Sequence, residues 1–310
     1  MPGPEILRLS AEVADALRAG RPIVALETSV IAQGLPQDDG PAAFGRWERA
    51  IRDAGAVPAG IAVLEGRLAV GLAASELARL ADRSRAVAKA ARRDLGALVQ
   101  RRADAGTTVS ATLAVARLAG IRVVATGGIG GVHRQFSRHP DESADLRALA
   151  ETPIALVCAG AKAVLDLPAT LERLETYSVP VFGHGTSVFP AFYTSPAVED
   201  GLRLEHRFDE PPALAAALAA HFAAGGGGAL VAVPPPLVDG LTAAMVEAAV
   251  TDAVEAAERA GVIGKALTPF LLAEVAERTG GLALTANLAL LEKNARAAGG
   301  LASAWPPAYN

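Results

Sequence analysis

Leu156-Val-Cys-Ala-Gly-Ala-Lys-Ala-Val-Leu165 is an apolar run interrupted by a single glycine and a single lysine. Its first part continues the apolar stretch Ile154–Cys158, which has the length of a buried strand, and the whole reads as strand passing through glycine into helix. Similar short runs occur at Pro22–Leu26, Ile121–Thr126, Val179–Phe182 and Ala229–Val233. Between them lie helical patterns at Thr107–Leu118, Ser143–Leu149 and Pro168–Glu175. Strands alternating with helices predict an α/β fold with a sheet that is partly parallel. Ile61–Val70 differs, because two apolar runs flank Glu65-Gly66 as in a β-hairpin, so the sheet is expected to be mixed. Val246, Val250 and Val254 recur at helical spacing before Gly261, a reasonable stop. Thr268-Pro269 then reads as a new helix start, with threonine as cap and proline in the first position. Gly225–Gly228 is followed at once by a strand and reads as a loop within one domain spanning 1–310.

The 310 residues are 51% hydrophobic and only 20% charged, which fits a large buried core. No apolar run approaches the roughly 20 residues of a membrane span, so no membrane partner is expected. A net charge of -4 gives no broad basic surface for nucleic acid, whereas the local Arg92-Arg93 and Arg101-Arg102 pairs are suited to one small anion. One cysteine, Cys158, excludes an internal disulfide framework. With an opening Met1–Arg8 that lacks the basic and apolar regions of a signal peptide, it predicts a cytoplasmic setting.

Ligands in open α/β sheets collect beyond the carboxyl ends of the strands. Glu27 directly follows one such strand; an acid there is either a reactive group or a solvated loop residue. Lys162 has two readings. Burial and a nearby helix start both favour a neutral, nucleophilic amine; alternatively its stem packs on the core while the ammonium reaches water. Thr126–Gly131 is a glycine-rich loop able to form an anion nest or a plain turn, and matches neither a P-loop nor a dinucleotide fingerprint. Thr107–Val109 opens a helix, where free N–H groups attract anions and where capping accounts for the threonines equally well. Asp141 and Asp145, four apart at a helix start, place two hard oxygen ligands on one face, suited to Mn²⁺ or Mg²⁺, although acids are common there in any case. Lys89 and His133 stand alone as ordinary surface and structural residues, and Cys158 as a core residue.

Together these stretches resemble the pseudouridine-5'-phosphate glycosidase family, also called indigoidine synthase A-like proteins. The resemblance rests on Ala25–Pro36, Ile61–Leu64, Arg92–Leu95, Ala125–His133, Ser143–Leu146, Val157–Lys162, Phe189–Tyr193, Gly264–Leu272 and Ala286-Asn287, which follow the family order across nearly the whole chain. It implies a three-layer α/β/α sandwich, a homotrimer and reversible conversion of pseudouridine 5'-phosphate and water to uracil and ribose 5-phosphate. By resemblance Lys162 is the amine that bonds to C1' as an imine-type adduct, and Glu27 is the general acid. Asp141 takes the divalent metal, usually Mn²⁺. Lys89, Val109 (through its backbone), Ser143, Ala144 and Asp145 take substrate contacts, and Thr126, His133 and Asn287 the phosphate and sugar region. Departures from the family pattern occur at Glu142, at Gln135–Pro140 and at His184–Val188, and bear on metal affinity and base preference. Two alternatives remain: a related C-nucleotide glycosidase acting on another base, and a non-catalytic phosphosugar-binding protein.

Overall fold

The computed structural model describes residues 6–35, 39–134, 136–137, 140–196 and 201–306. Its first half contains β1 (Leu7–Leu9), α1 (Ala11–Arg18), β2 (Ile23–Leu26), α2 (Asp39–Asp53), β3 (Val57–Leu64), β4 (Arg67–Val70), α3 (Ala74–Ala81), β5 (Ala88–Ala90), α4 (Leu95–Gln100), β6 (Ala105–Thr107), α5 (Val109–Leu118) and β7 (Val123–Ala125). The second half adds β8 (Val132–His133), α6 (Ala144–Ala150), β9 (Ala155–Cys158), β10 (Leu165–Asp166), α7 (Leu167–Thr176), β11 (Val181–His184), β12 (His206–Phe208), α8 (Pro211–Ala223), β13 (Ala229–Ala232), α9 (Ala243–Ala260), α10 (Leu267–Arg278) and α11 (Leu282–Ser303).

Every residue of β2, β3, β9 and β13 is buried, which only an apolar strand covered on both faces can achieve. These strands lie inside an eleven-stranded sheet ordered β1-β4-β3-β2-β7-β9-β13-β11-β12, with β6 attached to β3 and β5 to β6. From β3 through β12 each neighbouring pair along this path is parallel. The antiparallel part is the β3–β4 hairpin and the β3–β6 pair, so the sheet is mixed and mostly parallel. Leu64 pairs with Arg67, leaving Glu65-Gly66 as the two-residue turn, with both residues at positive φ (51° and 77°). That backbone matches the twist of the strands and suits the glycine. Helix α11 packs on β2, β7 and β9 and against α2 and α8, whereas α5 packs on β2, β3 and β7 with α6 beside it. Among the described residues no helix is long and apolar enough to cross a membrane.

Three sequence expectations require correction. The chain beyond Gly160 does not enter a helix: Ala161 bridges to Ile129, a turn follows, then the short strand β10, and α7 starts only at Leu167. Gly160 sits at φ +79°, where a Cβ would lie 2.2 Å from the Pro190 carbonyl oxygen, so the glycine ends the strand by close approach and not as a helix start. Asp141 is also outside the helix it was expected to begin, because Ser143 is the cap of α6 and accepts the Asp145 N–H through its hydroxyl. Asp141 and Asp145 therefore share no helix face. Thr268 and Pro269 lie in the second and third positions of α10, since a 3₁₀ turn over Gly264–Ala266 leads directly into the helix and displaces the expected cap. The expected stop at Gly261 is present, in the left-handed conformation at φ 64°.

The α11–α2 contact is close enough to have opposite consequences at adjacent glycines. A Cβ on Gly299 would fall 2.7 Å from Ala54 Cβ and 3.1 Å from the Ile51 carbonyl oxygen, whereas on Gly300 the nearest atom is at 4.0 Å. Gly299→Val is expected to lower stability by roughly 1–3 kcal/mol through overpacking. Gly300→Ala is expected to raise it by up to about 1 kcal/mol through helix propensity. Urea unfolding midpoints of the two variants test this pair of opposite signs.

Candidate functional site

Three adjacent parallel strands, β2, β7 and β9, end on the same edge of the sheet, and the chain leaving each carries a polar group: Glu27, Thr126 and Lys162. A cavity of about 230 Å³ opens at this edge. Glu27, Lys162, Lys89, Val109, Ser143, Ala144, Asp145, His133, Asn287 and Asp141 all line it. Thr126 does not, but its hydroxyl donates a short hydrogen bond to Glu27 Oε1.

Glu27 is 7% exposed, and its second oxygen accepts the Ser29 hydroxyl at 2.8 Å. Its carboxyl group is thus oriented by one hydroxyl on each oxygen. The Lys162 backbone is fixed by its N–H bond to the Ile129 carbonyl at 3.1 Å. Its ammonium has no hydrogen-bond or ion-pair partner among the described residues. Asn287, 8% exposed, likewise turns toward the cavity an amide without a partner among the described residues. Buried polar groups are normally paired, so an unpaired amide on a cavity wall marks a place where a ligand completes the bonding.

Asp145 is 7% exposed and holds two backbone donors, Ser110 N–H at 2.9 Å and Gly130 N–H at 3.0 Å. The loop Thr126–Gly131 is consequently not an open anion nest: none of its glycines has a positive φ, and the Gly130 N–H already has an acceptor. Its glycines serve close packing instead. A Cβ on Gly128 would lie 2.6 Å from the Phe192 ring and one on Gly131 2.3 Å from the Thr170 hydroxyl. Phe192 is held at φ 67° in the cavity wall, with its N–H on the Ala159 carbonyl at 3.2 Å. Neither Val109 nor Ala144, which open α5 and α6, has an acceptor for its N–H among the described residues. Such first-turn donors favour anions.

His133 and Asp141 face each other, with Nε2 3.8 Å from Oδ2. Burial lowers the His133 pKa, Asp141 opposes that, and the charges of Lys162 and Lys89 reinforce the lowering. The imidazole is therefore biased toward its neutral form. Among the described residues no three His, Cys, Asp or Glu side chains cluster as a metal site. The donors present fit a divalent ion held by the half-exposed Asp141 carboxylate and completed by water and phosphate oxygens, the manner in which Mg²⁺-like ions are commonly bound. Glu142 does not add to that set, because its carboxylate is 3.1 Å from Arg173 Nε and bonded to the Tyr177 hydroxyl. Residues 184–188 are not among the residues that line the cavity. Of the Gln135–Pro140 stretch, residues 135, 138 and 139 lie outside the described residues.

The sequence reading assigned no role to Ser29, Phe192 or Lys265. The hydroxyl two positions after Glu27 was a visible signal for Ser29. Phe192 and Lys265 fall in segments that carried the family resemblance, yet nothing local shows that they reach this cavity. Lys265 donates to Asp94 Oδ2 at 2.7 Å and to the Lys89 carbonyl at 3.4 Å, while Lys89 donates to the Lys265 carbonyl at 3.4 Å. This clasp ties the turn before α10 to β5.

The sequence pattern of the family described as indigoidine synthase A-like protein matches residues 12–304. The pseudouridine-5'-phosphate glycosidase of Myxococcus xanthus is 53% identical over 270 residues, covering 87% of this chain and 88% of its own. That of Salinispora tropica is 48% identical over 269 residues, covering 86% and 82%. Among solved structures, the prealnumycin C-glycosynthase AlnA in complex with ribulose 5-phosphate superimposes with a TM-score of 0.88 at 37% identity, over 97% of each chain. An indigoidine synthase A-like protein from Thermotoga maritima superimposes with a TM-score of 0.85 at 33% identity, over 96% of each chain.

Burial lowers the Lys89 pKa from its ordinary 10.5, and the Lys162 charge lowers it further. Between the folded and unfolded values the unfolded chain binds more protons, so stability rises with pH across that window. Below the window the penalty of holding the ammonium is constant. Lys89→Met is expected to be more stable than the parent near neutral pH, with an advantage that shrinks as the pH climbs through the folded pKa toward 10.5. Urea midpoints near neutrality and in mild alkali read this directly.

Proposed function

Because the chain belongs to the indigoidine synthase A-like family, we propose that it is a pseudouridine-5'-phosphate glycosidase. In this reading it reversibly splits the C1'–C5 bond to give uracil and ribose 5-phosphate. The observation that carries the reading is one cavity wall presenting an unpartnered lysine amine and a carboxyl group held by two hydroxyls. The relatives named for this activity, at 53% and 48% identity over most of the chain, support it.

An ordinary glycosidase protonates a leaving oxygen between two carboxyl groups, but a leaving carbon offers no lone pair. The amine of Lys162 removes this obstacle. It adds to C1' as the bond to the ring oxygen breaks, and a proton passes from the amine to that oxygen, which becomes the C4' hydroxyl. The nitrogen lone pair then forms a C1'–N double bond. The C1'–C5 electron pair passes to the uracil ring, and C5 takes a proton from Glu27. Water adds to the resulting iminium, ribose 5-phosphate leaves as the aldehyde, and one proton returns to Glu27. Phe192 provides an aromatic wall and Asn287 an amide toward the phosphate and sugar region. Lys89 and the N–H of Val109 face the phosphate, while Ser143, Ala144 and Asp145 shape the sugar side. Asp141 would hold a divalent ion such as Mn²⁺, which supplies a fixed positive charge to substrate oxygens. Homotrimeric assembly and a cytoplasmic setting follow from the family resemblance and the cysteine content.

The C-glycosynthase neighbour favours a second reading in which the same machinery serves another base. A panel of C-nucleotides compared by kcat/KM separates the two.

Purified protein with pseudouridine 5'-phosphate and Mn²⁺ is expected to release uracil; no release with any of several divalent ions overturns the reading. Borohydride with ribose 5-phosphate is expected to add mass at Lys162, and Lys162→Ala to gain none. Glu27→Gln is expected to lower turnover about 10²- to 10⁴-fold, the usual worth of general acid catalysis, while keeping the trapped adduct.

A further inference from the structure

Two adjacent arginines on one 3₁₀ turn, Arg92–Asp94, are used in different ways. Arg92 Nη1 lies 2.6 Å from Glu151 Oε2, outside the cavity, and Glu151 is also bonded by Arg147 at 2.8 Å. Arg93 lines the cavity and has no hydrogen-bond or ion-pair partner among the described residues. The acid next to it is already engaged: Asp94 Oδ2 accepts Lys265 Nζ at 2.7 Å and the Ala91 N–H at 2.9 Å. Lys89 lies in the same wall, and the only hydrogen bond of its side chain among the described residues is the long contact to the Lys265 carbonyl at 3.4 Å. This end of the cavity therefore holds two cations, Lys89 and Arg93, that no carboxylate among the described residues reaches within ion-pair distance.

A phosphate monoester carries roughly two negative charges near neutral pH. A planar guanidinium binds its oxygens in pairs, whereas an ammonium acts as a point charge. We infer that Arg93 is a ligand of the substrate's 5'-phosphate, and that it makes the phosphate a condition of efficient binding. The inference rests on the phosphorylated-nucleoside reading above and deepens it. Arg92, one residue away, has no part in it. The Lys265–Asp94 bond positions the turn that presents Arg93.

The test compares Arg93→Ala, Arg93→Lys and Arg92→Ala in the full chain. With pseudouridine 5'-phosphate, Arg93→Ala is expected to raise KM about 10- to 100-fold, the range for losing a charge-assisted bond, with kcat nearly kept. Arg93→Lys is expected to restore part of the loss and Arg92→Ala to match the parent. With unphosphorylated pseudouridine, parent and Arg93→Ala are expected to be equally poor. An unchanged KM in Arg93→Ala, or an equal loss on both substrates, overturns the inference and leaves the glycosidase reading standing. Calorimetric titration with ribose 5-phosphate decides the point independently of turnover. A weaker affinity in Arg93→Ala than in the parent supports the inference even if no C-nucleotide is cleaved, and equal affinities overturn it.

Discussion

The carboxylate of Asp145 accepts the Ser110 N–H through one oxygen and the Gly130 N–H through the other. These two bonds join α6, the start of α5 and the loop leaving β7, which approach the cavity from different parts of the chain. An anion near a helix start is favoured by the free N–H groups there, so the charge is stabilised where it is needed. Gly130 permits the approach, because a Cβ there would lie 2.2 Å from the Ser143 hydroxyl oxygen and 3.0 Å from Asp145 Oδ2. Removing the carboxylate would leave two backbone donors in a buried junction without partners, a costly change. Beside the packing of α5 on α6 and the Ser143 N–H bond to the Gly131 carbonyl, this group helps hold the walls that carry Val109, Ser143 and Ala144 in their relative positions.

With Asp145 committed to the backbone and Glu142 to Arg173, the carboxylates left to act on a ligand are Glu27 and Asp141. Glu27 is itself restrained by Ser29 and Thr126, so its plane is set before substrate arrives. Fixed orientation of a proton donor is a large part of what an enzyme supplies to a proton transfer. Against these stand Lys89, Arg93 and Lys162; burial and then the Lys162 charge lower the Lys89 pKa, and burial lowers that of His133 against the opposing charge of Asp141, with Lys162 and Lys89 adding to the lowering. On the proposed reading an arriving phosphate meets these cations, so binding energy from the non-reacting end of the substrate becomes available at the reacting end.

The strands β2, β7, β9, β11 and β13 were legible because each lies in a short, mainly apolar run, a local property, whereas β1, β5, β6, β8, β10 and β12, of two or three residues each, carry no such run. The Glu65-Gly66 turn and the Gly261 stop were legible for the same reason, since both depend on backbone conformations that few residues adopt. The neighbourhoods of Lys162 and Asp141 were misread because glycine and acids were taken as helix-start signals. Gly160 instead answers to the Pro190 carbonyl, thirty positions away, and Asp141 to His133, whose N–H bonds the Asp141 carbonyl beside the isolated Val132–Glu142 bridge. The Glu27–Thr126 bond spans 99 positions and the Lys265–Asp94 bond 171, distances over which residue type and spacing carry no signal. Site identity came from ordered motifs; site geometry needed the fold.

On the proposed reading, Cys158 accounts for why the amine and not the thiol is the available nucleophile. It lies four residues before Lys162, at the end of β9, and is fully buried. Burial pushes its pKa up to about 12, while backbone contacts from Gly160 and Ile129 and the nearby Lys162 charge only partly oppose this. A thiol so held presents no thiolate near neutral pH, and thiolate is the reactive form. Lys162, past the Gly160 turn, leaves the strand's buried register and reaches the cavity with its ammonium unpartnered among the described residues. The difference matters chemically. A thiol adduct at C1' offers a poorer lone pair for forming a double bond to carbon, whereas an amine forms an iminium readily and so drives a carbon leaving group away. The turn at Gly160 thus leaves the sulfur buried and brings the nitrogen to the cavity, and under the proposed mechanism this sets the reaction type as well as the position of the lysine.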